Sequence, residues 1–325
     1  MRAWRNCSST TLPAPSLWQR RDIMNIIVIG GANLDIKSVI AGKTVAATSN
    51  PGTSSLSLGG VGRNIAENLA RLGAPVALLS VVGDDDAGTR LIEGSTAAGI
   101  DMSLVTRAKG NTGTYAVVID RQGEMVIGVA DMRLIDAITP RFIARHKAQL
   151  AAARLLVADC NLSAEALAEI AKIAAKAQIP LIVEPVSVPK ARRLAALLRT
   201  GLPIHAVTPN RDELAALVGF PVKSEAALKR AMRLLHRRGV RHVLVGLGSQ
   251  GCYLSSAHDE INFAVQLPTA ARPKVRDVTG GGDAMVAGFA YGLACGKSAA
   301  QAARMGQELA GRAVHSLTSV AASSK

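Results

Sequence analysis

The sequence predicts an α/β protein: a three-layer α/β/α sandwich with a mostly parallel central sheet and a small β lid. Three observations carry that expectation. Apolar strand-like runs alternate with Ala- and Leu-rich helical runs over most of the 325 residues, which is the pattern of a parallel sheet covered on both faces. Two stretches, 36–58 and 112–130, break the alternation and read as short strands outside the main sheet. Late in the chain, Gly280-Gly281-Gly282-Asp283 leads directly into a helix of small apolar residues.

The elements follow in order. Residues 1–23 differ from the rest: they hold both tryptophans, Trp4 and Trp18, with a Ser/Thr/Pro-rich stretch and no apolar period. They read as disordered to about residue 22, with Met24 as initiator; an Arg-rich targeting peptide is the other reading. The main domain then runs 24–325. Strands are expected at 26–31, 78–83, 155–160, 181–185, 206–208 and 242–247. Helices are expected at 62–72, 87–98, 140–152, 164–176, 190–199 and 225–238, with two last ones near 281–295 and 299–316. The first irregular stretch carries the turn residues Asn50-Pro51-Gly52. The second reads as a hairpin, 114–119 and 124–129, around Asp120-Arg121-Gln122-Gly123. Both could be sheet-edge additions, or a lid over the ligand end of the main sheet, where it would keep water from a transferring group.

Composition narrows the classes. The chain is 49% hydrophobic, without a run of some 18 uncharged apolar residues, so a membrane span is not expected. Four scattered cysteines without a CxxC fit free thiols in a reducing, cytoplasmic setting and form no metal site. The net charge of +14 is spread over helical runs such as 229–238. Nucleic-acid binding would want interleaved aromatics, and aromatics are only 3%.

The Gly280–Asp283 turn has two readings. It could be a plain strand-to-helix connection with Asp283 as N-cap. It could also be a cradle, because glycines allow close approach of a ligand and a helix start offers free N–H groups to an anion. Asp283 beside such a cradle is a candidate proton acceptor for a hydroxyl being phosphorylated. Asp35 lies just past the first strand, where open α/β sheets bind ligands, and could accept from two sugar hydroxyls. Gly59-Gly60-Val61-Gly62-Arg63-Asn64 precedes a helix, and Asn64 could bond a hydroxyl. Neither a dinucleotide fingerprint nor a P-loop is present. Asn210 and Glu213 read equally as a capping box or as groups near phosphate and a water-bridged metal. Gly246, Gly248 and Gly251 could line nucleotide phosphates or simply turn a hairpin. The six histidines form no spaced cluster.

Taken together, these segments resemble the PfkB, or ribokinase-like, carbohydrate kinases. The resemblance implies a ribokinase-like sandwich, ATP and Mg²⁺, and a small nucleoside or sugar substrate. It implies Asp283 as base and the amides of Gly280, Gly281 and Gly282 as anion hole. It implies Asp35, Gly59, Gly60 and Asn64 at the sugar, and Asn210 and Glu213 near magnesium and phosphate. Gly246, Gly248 and Gly251 fall on the nucleotide side, and Asp277 and Thr279 where many members bind a monovalent cation such as K⁺. A homodimer formed through the lid is a further expectation. Ser49–Gly52, 59–70, 157–161 and 184–187 resemble the pseudouridine kinase branch, which phosphorylates the ribose 5′-hydroxyl of a C-nucleoside. Three positions depart from the pattern: Gly281 stands where the family has alanine, Ala130 where the branch has asparagine, and Glu184 where the branch has aspartate.

Overall fold

The computed structural model describes residues 26–257, 263–265 and 280–313. The first part of the chain gives β1 (Ile26–Ile29), β2 (Asn33–Ile40), β3 (Gly52–Gly59), α1 (Val61–Arg71), β4 (Val76–Gly83), α2 (Asp86–Ala97) and β5 (Val105–Ala108). Next come β6 (Thr114–Ile119), β7 (Met125–Asp131), α3 (Pro140–Arg145), α4 (Lys147–Ala152), β8 (Leu155–Asp159), α5 (Ala164–Ala177), β9 (Leu181–Glu184) and α6 (Val188–Leu198). The chain continues through β10 (Ile204–Val207), α7 (Arg211–Val218), α8 (Glu225–Arg237), β11 (Val240–Gly246), β12 (Cys252–Ser256), β13 (Phe263–Val265), α9 (Gly281–Ala294) and α10 (Ala299–Ala313).

Nine strands form the main sheet, in the order β13-β12-β11-β10-β9-β8-β1-β4-β5. It is parallel from β5 through β11, and β12 and β13 add antiparallel strands at one edge. β1 lies between β4 and β8, with Ile26 opposite Val76 and Leu155. All four of its side chains are buried, two in each of the two cores. That explains why its sequence, Ile-Ile-Val-Ile, is a continuous apolar run rather than an alternation. One core takes residues from α3 to α8, including Phe142, Leu167, Leu194, Leu214 and Leu228. The other takes Ile65, Leu69 and Leu91 from α1 and α2, and Phe289 and Leu309 from α9 and α10. The expected three layers are therefore present.

The lid is a separate four-stranded sheet, β3-β2-β6-β7. β2 pairs antiparallel with β3 and parallel with β6, and β6 and β7 form the expected hairpin. The sheet begins earlier than expected: β2 starts at Asn33, so Asp35 lies inside a lid strand and not in the loop after β1. The expected helix 140–152 is two short helices. At His146 the backbone N–H turns tightly onto the Ile143 carbonyl, while the imidazole bonds the Phe142 carbonyl. β5 was not expected from the sequence: four residues with partly exposed side chains carry too little apolar signal. The expectations for residues 1–23, Met24, Asp277, Thr279 and 314–316 lie outside the described residues. Among the described residues, no helix is long and apolar enough to cross a membrane.

Candidate active site

Segments at the carboxyl ends of the parallel strands β1, β8, β9, β10 and β11, with the starts of α1 and α9, build the site. The first leaves β1 through Gly30 and Gly31 into β2. Gly60, just before α1, packs against it with φ +97°; a Cβ there would stand 2.5 Å from the Gly31 carbonyl oxygen and 2.6 Å from Ala32 Cα. Only glycine meets both demands. The Arg63 N–H donates to the Gly31 carbonyl at 3.1 Å, so α1 starts directly on the end of β1. This fixes Asn64, which is 5% exposed.

Asn64 Nδ2 donates to Asp283 Oδ2 at 2.9 Å, across 219 residues of sequence. Asp283 belongs to the first turn of α9, whose N-cap Gly280 is left-handed, with φ 85°. The helix's first bond runs from Ala284 N–H to the Gly280 carbonyl at 2.9 Å. The N–H groups of Gly281, Gly282 and Asp283 precede that bond, as at any helix start. Among the described residues no side chain caps them, and none lies within 4 Å of the space beside Gly282. Burial pushes the Asp283 carboxyl up to about 7, against the hydrogen bond from Asn64, and the charges of Asp159, Asp35 and Glu213 add to the rise. The plain N-cap reading of Asp283 therefore gives way: Gly280 is the cap, and the carboxylate points to Asn64.

Asp35 is half-buried, against the backbone of Gly59. It accepts from Asn33 Nδ2 at 2.6 Å, and burial raises its carboxyl while Asn33 and Arg63 pull it down. Arg63 is itself buried, ion-paired with Glu67, and donates to the Leu58 carbonyl at 3.0 Å. Thus the lid strands, α1 and α9 bring Asp35, Gly59, Gly60, Asn64 and Asp283 together.

Asn210 and Glu213 do form a capping box for α7. Asn210 Oδ1 accepts from the N–H groups of Asp212 (3.0 Å) and Glu213 (2.9 Å), and Glu213 Oε2 accepts from Asn210 N–H at 2.9 Å. Burial raises the Glu213 carboxyl, and its charge reaches both Asp283 and Glu184. The capping reading of Asn210 and Glu213 therefore holds. Gly246 bridges to Asn210, its N–H bonds the Pro209 carbonyl at 3.0 Å, and Met285 of α9 packs over it. Gly248 and Gly251 form the tight turn between β11 and β12, with φ of 59° and 91°.

Sequence reasoning left three buried groups without a role. Asp159, fully buried at the end of β8, accepts from the N–H groups of Gly31 (2.8 Å), Gly62 (2.8 Å) and Asn161 (2.9 Å). It ties the β1 loop, the α1 start and the β8 loop into one unit. Asn161 in turn accepts from the half-buried Lys190. Glu184, at the end of β9, accepts from Thr208 and is raised well above the carboxylate range by burial first and by Glu213 next. Two residues on, Val186 takes φ 70°, a strained backbone for a β-branched residue. Position at a strand's carboxyl end was the available signal for Asp159 and Glu184.

This arrangement, a glycine-bounded helix start with a raised carboxylate beneath a β lid, defines a phosphotransferase of the sugar-kinase class. The pfkB family carbohydrate kinase pattern matches residues 24–324, and the chain belongs to that family. It is 35% identical to the pseudouridine kinase of Escherichia coli (strain K12) over 284 residues, 87% of this chain and 88% of that one. It is 29% identical to the pseudouridine kinase of Arabidopsis thaliana, covering 90% and 91% of the two chains. A carbohydrate kinase from Agrobacterium tumefaciens superposes with a TM-score of 0.78 at 30% identity, over 92% of this chain and 93% of that one. An Arabidopsis thaliana ribokinase solved with ribose and ATP has the same fold, with a TM-score of 0.78 at 23% identity over 92% and 96% of the chains. The chain is accordingly a kinase of the pfkB carbohydrate-kinase family.

Proposed function

We propose that the protein phosphorylates the ribose 5′-hydroxyl of pseudouridine, giving pseudouridine 5′-phosphate. The observation that carries the catalytic part is the Asn64–Asp283 hydrogen bond, which aims a carboxylate poised near 7 beside helix-start amides that no described side chain caps. The acceptor is argued from the two pseudouridine kinases among its relatives.

In this reading Asp35, Gly59, Gly60 and Asn64 hold the ribose. Asp283 takes the 5′-hydroxyl proton as the oxygen bonds to the γ-phosphorus of ATP and the bond to ADP breaks. The amides of Gly280, Gly281 and Gly282 receive the transferring charge. Asn210 lies on the phosphate side, and Gly246, Gly248 and Gly251 line the nucleotide. The charge of Glu213 raises the carboxyls of both Glu184 and Asp283, and among the described residues no group of three such side chains is placed to hold a metal ion directly, so a cation here would be held through water. Mg²⁺, held through water on Glu213, would neutralise phosphate charge there. Asp277 and Thr279 are the proposed monovalent-cation pair. The lid would supply a homodimer contact: along β7, Met125, Val126, Ile127 and Val129 are all exposed, with Leu56 on β3.

A second acceptor reading has one observation behind it. Ala130, paired with Tyr115 in the lid, offers no amide where the branch has asparagine, which favours a nucleoside or sugar whose base is not read there. ADP release against pseudouridine, uridine, adenosine, inosine, ribose and fructose 6-phosphate decides. The highest kcat/KM is expected with pseudouridine. A higher value for another acceptor would replace the substrate, and silence with all six would point to a non-catalytic binding protein.

A further inference from the structure

The far end of the main sheet holds a cavity of about 460 Å³. There β10 and β11 begin, α9 has ended and α10 starts. It lies at the opposite end of α9 from the Gly280–Asp283 turn, about 20 Å away at 1.5 Å per helical residue. Nothing in the catalytic reading uses it.

Its lining is cationic. Arg241 and Lys297 are exposed at its rim, and the imidazoles of His205 and His242 meet edge to face with centroids 5.0 Å apart. None of its described lining residues is acidic. Ala299 and Ala300, the first residues of α10, complete this wall. The helix start is capped by Ser298 and Gln301, each side chain taking the other's N–H, and the Ala302 N–H makes the bond to the Ser298 carbonyl at 2.9 Å. The N–H groups of Ala299 and Ala300 therefore precede the ladder and face the positive end of a 15-residue helix. Burial, and then the Arg241 charge, push His205 down to about 4. His205 is therefore uncharged near neutral pH, and the positive charge of this wall rests on Arg241 and Lys297. The opposite wall, Pro180, Leu254 and Leu293, is apolar.

We propose that this cavity binds a small phosphate-bearing anion, the phosphate between Arg241, Lys297 and the α10 start, and any organic part against Leu254 and Leu293. Charge-assisted bonds from guanidinium, ammonium and helix-start amides are the chemistry that recognises phosphate. Volume allows a body of nucleoside-monophosphate size beside it.

The test follows the histidine imidazole NMR signals of the full chain, assigned with His205→Gln and His242→Gln. Inorganic pyrophosphate and uridine 5′-monophosphate are titrated separately at constant ionic strength. Both signals are expected to shift saturably. The double variant Arg241→Glu, Lys297→Glu changes exposed side chains only, and unchanged melting would show that it folds. It is expected to weaken binding by at least about tenfold, the effect of losing about 1.4 kcal/mol. Tighter binding of the monophosphate would assign an organic phosphate ester; tighter binding of pyrophosphate would assign an inorganic one. Absence of a saturable shift, an equal shift with chloride, or full binding by the double variant would overturn the proposal.

Discussion

The two ends of the parallel sheet carry opposite chemistry on one scaffold. At the carboxyl ends of the strands, Asp35, Asp159, Glu184, Glu213 and Asp283 converge, and burial raises the carboxyl of each. At the other end, Arg241, Lys297, His205 and His242 line a cavity with no carboxylate among its described lining residues. The difference teaches how the fold tolerates a crowded acidic site. Every carboxylate of that end except Asp283 accepts hydrogen bonds that hold the architecture, from Asn33, from three backbone N–H groups, from Thr208 or from the α7 cap. Among the described residues Asp283 accepts from the Asn64 side chain alone, and so it is the one free to exchange its proton.

The largest break in that picture is Asp283→Asn. Removing a positioned base costs about 10²–10⁴-fold in rate, so kcat is expected to fall by that order while substrate still binds. The wild-type kcat/KM should rise with pH through about 7, as the Asp283 carboxyl loses its proton, and the variant should lose this limb. Stability should move the other way. Between pH 3.8 and about 7 the folded chain keeps a proton that the unfolded chain has released, so stability falls as pH rises through that window. The asparagine variant escapes this penalty and should melt higher above pH 7. Near-normal turnover with a retained pH limb would remove Asp283 from the role.

Asp159→Ala comes next, because it tests whether the other acidic residues are scaffolding. Three N–H groups would lose their acceptor. Each buried unsatisfied group costs about 1–3 kcal/mol, so denaturant unfolding is expected to show a loss of about 3 kcal/mol or more. KM for the acceptor should rise with it, since Gly62 and Asn64 share one turn of α1. Asp159→Asn, which keeps one acceptor oxygen, should recover part of both. A stable Asp159→Ala protein with unchanged KM would separate the loop unit from substrate binding.

How much of this was legible follows from the range of each signal. The alternation and the continuous apolar run of β1 are local, so the layers and the mostly parallel sheet could be read directly. The Asn210–Glu213 capping box spans three residues and was equally readable. The role of Asp159 rests on contacts 97 and 128 residues away, and nothing near it in sequence announces them. The Asn64–Asp283 bond spans 219 residues; its two ends could be nominated from their glycines, but only the fold could join them. Asp35 was given the right end of the sheet and the wrong element, because the lid strand begins only four residues after β1 ends. No alternation pattern resolves so short a step.

The smallest expected effect concerns Gly281, the residue by which this turn departs from its family. It is the first residue of α9, follows the left-handed Gly280, and is not itself in the positive-φ region. Alanine can therefore adopt its backbone. Gly→Ala at such a position stabilises by about 0.4–1 kcal/mol, chiefly by restricting the unfolded chain. Gly281→Ala is expected to gain that amount in denaturant unfolding, with acceptor KM unchanged. If the anion cradle works best when held still, kcat should also rise modestly, because a stiffer turn loses less freedom on gripping the transferring phosphoryl group. A fall in kcat despite the gain in stability would show the reverse: that this chain uses the mobility of the middle glycine of the turn, and that the acidic end is tuned for motion where the rest of the sheet is tuned for packing.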